Sequence, residues 1–250
     1  MKLKYHQKTF ELINQQPRFS QESFLKLESL TREKGIAIPA SIVEWYSLDN
    51  AIEILRQNSN DDHFVNIEDF GKPSRKNEDL LTEGLLLFMI ENQGICKWAV
   101  KLDNSDDPQV LAKDDDSKTW EHCAEKFSMF IWTLAFDWSR IHQKDSYLLC
   151  AGAEPITQND LFELQRNFQE EPRTYCFPGK VNYRFSQQDK RILIWLNSGQ
   201  ADWNLSASSP QSLFELVQTV WNLSNLKNSL YDVDEYNVGK NILKKLRNSS

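Results

Sequence analysis

Leu85 to Ile90 is an unbroken run of six apolar residues. It is too short to span a membrane and fits a strand covered on both faces. From Cys96 the pattern alternates: Cys96, Trp98, Val100 and Leu102 point one way, Lys97, Ala99 and Lys101 the other. That period of two predicts a strand with one buried face. Between the two runs, Glu91-Asn92-Gln93-Gly94 reads as a turn, with Gly94 free to take positive φ. Asp103 to Pro108 is a second polar turn, after which Gln109 to Ala112 restarts a strand. The expectation is a three-stranded antiparallel meander whose middle strand is half exposed.

Helical spacing dominates on either side. A first helix fits Tyr5–Gln15. Ser20 is placed to cap a second, carried by Phe24, Leu27 and Leu30 and closed by Gly35. Pro39 suits the first position of a third, with Ile42, Val43, Trp45 and Tyr46 on its apolar side. A short helix is expected over Ala51–Gln57. Residues 58–73 read as a polar loop holding one brief edge strand near Phe64. Lys113–Lys118 is a solvated loop. A helix is expected from about Ala124, because Phe127, Phe130, Ile131, Leu134 and Trp138 form a clean stripe.

Residues 142–146 are polar and mark the best boundary, which divides the chain into 1–144 and 145–250. Beyond it, Tyr147–Ala151 reads as a strand. Thr157 and Asp160 have capping-box spacing, opening a helix expected to run on to Pro172. Val181–Phe185, Ile192–Leu196 and Trp203–Leu205 read as antiparallel strands, with a turn at Asn197–Gln200. Pro210 opens a long helix, and Lys240–Arg247 is a basic tail with a weak apolar side. The fold class is therefore α+β: a curved antiparallel sheet backed by helices, followed by a second α+β region of antiparallel strands and helices.

Charge narrows the choice of partner. The chain has a net charge of −7, with 18 Lys and Arg against 24 Asp and Glu in residues 1–144 and 11 against 12 in residues 145–250. Asp103, Asp106, Asp107, Asp114, Asp115 and Asp116 crowd one segment that holds a single lysine, Lys113. An acidic front half disfavours nucleic acid, which needs Lys and Arg, and suits a basic protein. Acidity that merely keeps a protein soluble is the bland alternative. The four cysteines are far apart in sequence, so neither disulfides nor structural zinc are expected. No apolar leader core follows Met1–His6, and no run approaches the ~18 residues of a membrane helix. A reduced, cytoplasmic, membrane-free protein is expected.

Catalytic signatures are missing: there is no Gly-x-Ser-x-Gly, no phosphate loop and no His-Glu-x-x-His. Asp61-Asp62-His63 is the best metal or acid–base candidate, and with Glu91 it would serve a metal-dependent hydrolase; adjacent residues ligate one ion poorly, so a hydrated loop is the plainer reading. His122-Cys123 has the composition of a nucleophile pair but sits at the lead-in to a helix. Trp98 and Trp120 could stack on a partner, though each reads first as core or edge filler. No catalytic, cofactor or metal residue is assigned.

Several segments in order carry a resemblance. Ile38-Pro39-Ala-Ser-Ile-Val-Glu-Trp45, Leu85–Phe88, Glu91-Asn-Gln-Gly-Ile-Cys-Lys-Trp-Ala-Val100, Asp106-Asp-Pro-Gln-Val110 and Phe127-Ser-Met-Phe-Ile131 resemble the SUKH superfamily over about residues 20–140. That group holds the yeast Smi/Knr cell-wall regulator and many bacterial immunity proteins. Where the family often has Asn-Gly after the opening helix, this chain has Asp49-Asn50. The resemblance implies a sheet with helices on one side and an open concave face on the other. It also implies a non-enzymatic protein that binds and neutralises a cognate bacterial toxin. The alternative is a general protein-interaction scaffold or regulator of the Smi/Knr type. Taking the acidic turns as the presenting surface, the expected partner-binding residues are Glu91, Asn92, Gln93, Asp103, Asp106, Asp107, Asp114, Asp115 and Asp116. The expected partner is a cationic toxin domain.

Overall fold

The computed structural model describes residues 2–49, 51–57, 59–72, 80–115, 117–139, 146–233 and 237–249. It is an α+β protein in two compact units, residues 1–139 and 140–250, each with its own antiparallel sheet. The boundary expected at 142–146 falls almost wholly outside the described residues.

The first unit begins with helices α1 (Gln7–Leu12), α2 (Gln21–Lys34), α3 (Ala40–Tyr46) and α4 (Ala51–Gln57). Ser20 Oγ accepts from Ser23 N at 3.2 Å to start α2, and Gly35 at φ +64° ends it. Only glycine adopts that left-handed turn without cost. Strands β1 (His63–Phe64), β2 (Leu85–Ile90), β3 (Cys96–Lys101), β4 (Val110–Asp114) and β5 (Glu121–Ala124) follow, and α5 (Phe127–Trp138) closes the unit. The strands pair in chain order, all antiparallel. The edge strand expected near Phe64 is β1, and β5 is the one strand of this sheet beyond those expected. β5 escaped notice because four residues, two of them Glu121 and His122, show no clear apolar alternation before the helix stripe begins.

A bulge in β2 decides the core. Leu87 pairs with Ala99 and Met89 with Trp98, leaving Phe88 between them. Phe88 and Met89 are completely buried, in a strand whose six residues are all buried. Phe88 meets Phe127 and Phe130 edge-on, at centroid distances of 5.1 and 5.6 Å. That geometry sets ring edges against ring faces. β3 is more buried than its alternation predicts. Ala99 is wholly buried because Leu87 and Leu111, its cross-strand neighbours, enclose so small a side chain.

The N-terminal segment is held by an unusual set of contacts. Both oxygens of the Glu44 carboxylate accept backbone N–H groups, from Lys4 at 2.6 Å, Tyr5 at 2.8 Å and His6 at 2.9 Å. The His6 ring is fully buried, 4.8 Å from the Trp45 ring and 5.8 Å from that of Phe127. Its Nε2 lies 2.9 Å from the Ser41 carbonyl, so that nitrogen carries the proton, and Nδ1 has no hydrogen-bond partner among the described residues.

The second unit comprises β6 (Tyr147–Ala153), α6 (Gln158–Asn167), β7 (Gln169–Thr174), β8 (Val181–Gln187), β9 (Lys190–Asn197), β10 (Gln200–Ala207), α7 (Pro210–Val220), α8 (Leu226–Ser229), β11 (Tyr231–Asp232) and α9 (Val238–Ser249). Its sheet order is β11-β6-β10-β9-β8-β7, all antiparallel. Leu149, Phe185, Ile192, Trp203 and Leu205 line one face and pack with Leu213, Leu216 and Val220 of α7 and Leu243 of α9. α6 stops at Asn167, short of the expected Pro172, which instead lies inside edge strand β7. A strand edge tolerates a missing N–H where a helix interior does not. The basic tail is helical because Ile242, Leu243 and Leu246 bury on this core.

Cys96 and Cys150 are free thiols.

Burial holds the His6 imidazole below its ordinary range, despite the opposing Ser41 carbonyl and the Glu44 and Asp107 charges. The unfolded chain takes up a proton near pH 6.5 that the folded chain resists, so this contribution to stability is intact above that pH and lost below it. Relative to His6→Phe, the wild-type protein should lose up to about 1.4 kcal/mol per pH unit between pH 6.5 and 5, read by denaturant unfolding. Parallel pH profiles for the two proteins would show that His6 is not the titrating group.

Candidate functional site

An antiparallel meander places successive turns at opposite ends. Ile90 pairs with Lys97 and Cys96 with Asp114, so the 91–95 turn and the end of β4 lie together. His63 pairs with Ile90, which brings Asp61 and Asp62 to the same end. The 102–109 turn follows Lys101 and sits at the other end, about 17 Å away for five residues at ~3.4 Å each. The expected binding residues therefore divide into two groups and do not form one patch. Asp116 lies outside the described residues.

At the far end, the acidic residues serve the fold. Asp103 Oδ1 accepts from Ser105 N at 3.1 Å, an Asx turn. Asp106 Oδ2 accepts from Lys4 Nζ at 3.3 Å and Tyr5 OH at 3.1 Å. Asp107 accepts from Ser128 N at 3.0 Å and from Ser128 Oγ at 2.6 Å. It thereby caps α5, whose own preceding residue, Lys126, offers no capping group. A carboxylate there also meets the positive end of the helix dipole.

At the near end, Glu91 turns inward. It is 3 % exposed, and Oε2 accepts from Gln93 N at 2.7 Å and Ile95 N at 3.4 Å. Its carboxylate shapes the turn and is not presented outward. Asn92 is half-buried, its Nδ2 donating to the Asn60 carbonyl at 2.6 Å and its N to Asp62 Oδ1 at 3.2 Å. Gln93, Asp114 and Asp115 are exposed.

Asp62 is the chemically perturbed member. It is 7 % exposed, and its carboxyl is pushed up to about 6. Burial is the main cause, Glu91 and Asp61 add to it, and the Asn92 hydrogen bond opposes it. The neighbouring Cys96 thiol is raised well above its ordinary range by burial, then by Asp114, Asp62 and Glu91. Two different groups thus register the same negative potential. Sequence reading singled out Asp62 for its place beside Asp61 and His63. Its pairing with Asn92, 30 residues away, needed the fold.

The other candidates separate. His63 lies on the exposed side of β1 and Phe64 on the buried side. Among the described residues, no three His, Cys, Asp or Glu side chains are grouped to hold a metal ion. His122 and Cys123 are successive residues of a strand and face opposite ways; Cys123 is fully buried, and His122 Nε2 lies 3.4 Å from Glu125 Oε1. Trp98 is 3 % exposed against Phe130, a core residue, and Trp120 is half-buried.

A cavity of about 320 Å³ beside α2 and α4, lined by Ser23, Lys26, Tyr46, Ile52, Glu53 and Glu68, had no sequence signal. Its rim charges compensate one another: Lys26 pairs with Glu68 at 2.7 Å and Glu22 at 3.0 Å, and Arg56 with Glu53 at 3.2 Å.

Comparison with protein-family models, curated proteins and solved structures finds no match to this chain. Among the described residues, no helix is long and apolar enough to cross a membrane.

A carboxyl whose folded value is raised is unfavourable to ionise in the fold. The cost is absent below the unfolded value near 3.8, grows as pH rises, and is complete above about 6. Asp62→Asn removes it while losing a charge-assisted bond. The variant should therefore be more stable by about 1–2 kcal/mol at pH 8, with the gain vanishing near pH 4. Chemical denaturation at the two pH values checks this; a destabilised variant at pH 8 would contradict it.

Proposed function

We propose that this chain is a non-enzymatic binding protein whose partner is a cationic protein surface, met at the end of the first sheet that carries Asp61, Asp62, Gln93, Asp114 and Asp115. The observation that carries the reading is the buried, reluctantly ionised Asp62, held against Glu91 and Asp61. A fold that keeps such a group gives up stability at neutral pH, and a partner's Lys or Arg brought to this end would return it. The exposed Asp114 and Asp115 would speed encounter, while final affinity would rest on better-buried contacts.

The SUKH-like segments give the partner a class. On that resemblance the chain is an immunity protein and the cationic surface belongs to a secreted toxin that the protein occludes.

Co-expression with the product of the adjacent reading frame, scored for survival and co-purification, identifies the partner. With it in hand, Asp114→Asn together with Asp115→Asn should slow association about 3–10-fold at low ionic strength and flatten its salt dependence. Asp103→Asn, at the opposite end, should change the rate much less. Equal effects at both ends would remove the near end as the docking site, and no effect at either would remove electrostatic steering altogether.

A further inference from the structure

The near end has two chemically distinct ways to satisfy itself. With Asp62 ionised, Oδ1 accepts the Asn92 backbone N–H and ties the β1 segment to the 91–95 turn across 30 residues of sequence. The tie is continued by Asn92 Nδ2 on the Asn60 carbonyl and by Ser59 Oγ, which accepts from Asp62 N at 3.3 Å. Within the same turn, Asn92 Oδ1 is buried and has no hydrogen-bond donor among the described residues. A buried acceptor without a donor is costly to leave unmade. A protonated Asp62 is a weaker acceptor for the Asn92 amide and carries a new O–H that must find an acceptor within this buried end.

We propose that Asp62 and Asn92 form a proton-operated latch that sets the conformation of the 91–95 turn and thereby gates binding at this end of the sheet. The gating part rests on the cationic-partner reading above; the latch itself does not. The groups facing Asp62 favour such a device. Asp61 lies beside it, Glu91 faces it from the turn, and Asp114 joins them around the Cys96 thiol at the ends of β3 and β4. All carry negative charge or none, so each added proton relieves repulsion. His63, next in the chain, sits on the exposed side of β1. Burial and these neighbours bring the switching range to about pH 6. Ordinary carboxylates do not change state there, so the near end can respond while the rest of the acidic surface stays ionised.

The consequence for binding is arithmetical. If a cationic partner engages only the ionised form, lowering the pH from 8 to 5 leaves about one molecule in eleven competent, a loss of about 10-fold in apparent affinity.

The test is a nuclear magnetic resonance titration of the folded, full-length protein from pH 8 to 4.5. It follows the Asp62 side-chain carboxyl carbon and the Asn92 and Gln93 backbone amides. The expected result is a common midpoint near 6 for all three, and amides that no longer move in that range in Asp62→Asn. An Asp62 carboxyl titrating near 4, or an Asn92 amide indifferent to it, overturns the latch. Binding of an oligo-lysine peptide, whose own charge is constant over this range, separates the two ideas. A 10-fold weakening from pH 8 to 5 that Asp62→Asn abolishes supports gating, and pH-independent binding overturns gating. Failure to bind at either pH overturns the cationic-partner reading, whatever the resonances do.

Discussion

The packing of Phe88 against Phe127 and Phe130 is the contact on which the first unit depends. It joins the sheet to α5 through rings that are wholly or almost wholly buried. It exists because β2 carries one residue too many, and the bulge turns Phe88 and its neighbour Met89 onto the same face. His6 then packs on Phe127 and Trp45, and Glu44 fixes the backbone around it. Asp107 completes the arrangement by capping α5 from the turn between β3 and β4. One aromatic contact therefore decides where the helix sits, where the N-terminal segment docks, and what the far-end carboxylates are occupied with.

The two ends of the sheet carry similar residues under different constraints. At the far end each carboxylate meets N–H or O–H donors, and the Lys4 ammonium holds the Asp106 carboxyl below its ordinary range together with the Tyr5 hydroxyl. Such pairs are exposed and contribute little to stability. At the near end Asp62 and Glu91 are buried among other carboxylates, and backbone N–H groups of the turn donate to them. Satisfied hydrogen bonds make their burial tolerable, while their mutual repulsion keeps the end responsive to charge. This contrast makes the near end the more informative place to look for function.

The second unit shows how local rules and tertiary context divide the work. Thr157 and Asp160 cap α6 reciprocally and Pro210 opens α7, both as sequence reading expects, and the fold adds Ser209 as the cap of α7. The end of α6 did not follow its apolar spacing, because Phe168 leaves the helix and continues into an edge strand on β8. α9 was legible only as a basic tail. Its apolar side is three residues wide and becomes a helix face only where β6, β11 and α7 offer a surface to bury it.

Local pattern determined much of this protein. Six apolar residues in a row made β2, alternation made β3, a stripe at helical spacing made α5, and Ser20 with Gly35 bounded α2. Each of these is set by residues a few positions apart, so the chain carries the information in short stretches. The α+β class follows from their order. Tertiary structure decided the bulge at Phe88, the fifth strand, the inward turn of Glu91, the cap that Asp107 lends to α5 and the tie between Asp62 and Asn92. Those depend on contacts between residues tens of positions apart, for which a list of acidic side chains holds no distance. A carboxylate reads the same in sequence whether it faces water, a helix end or another carboxylate, and only the fold assigns it one of the three.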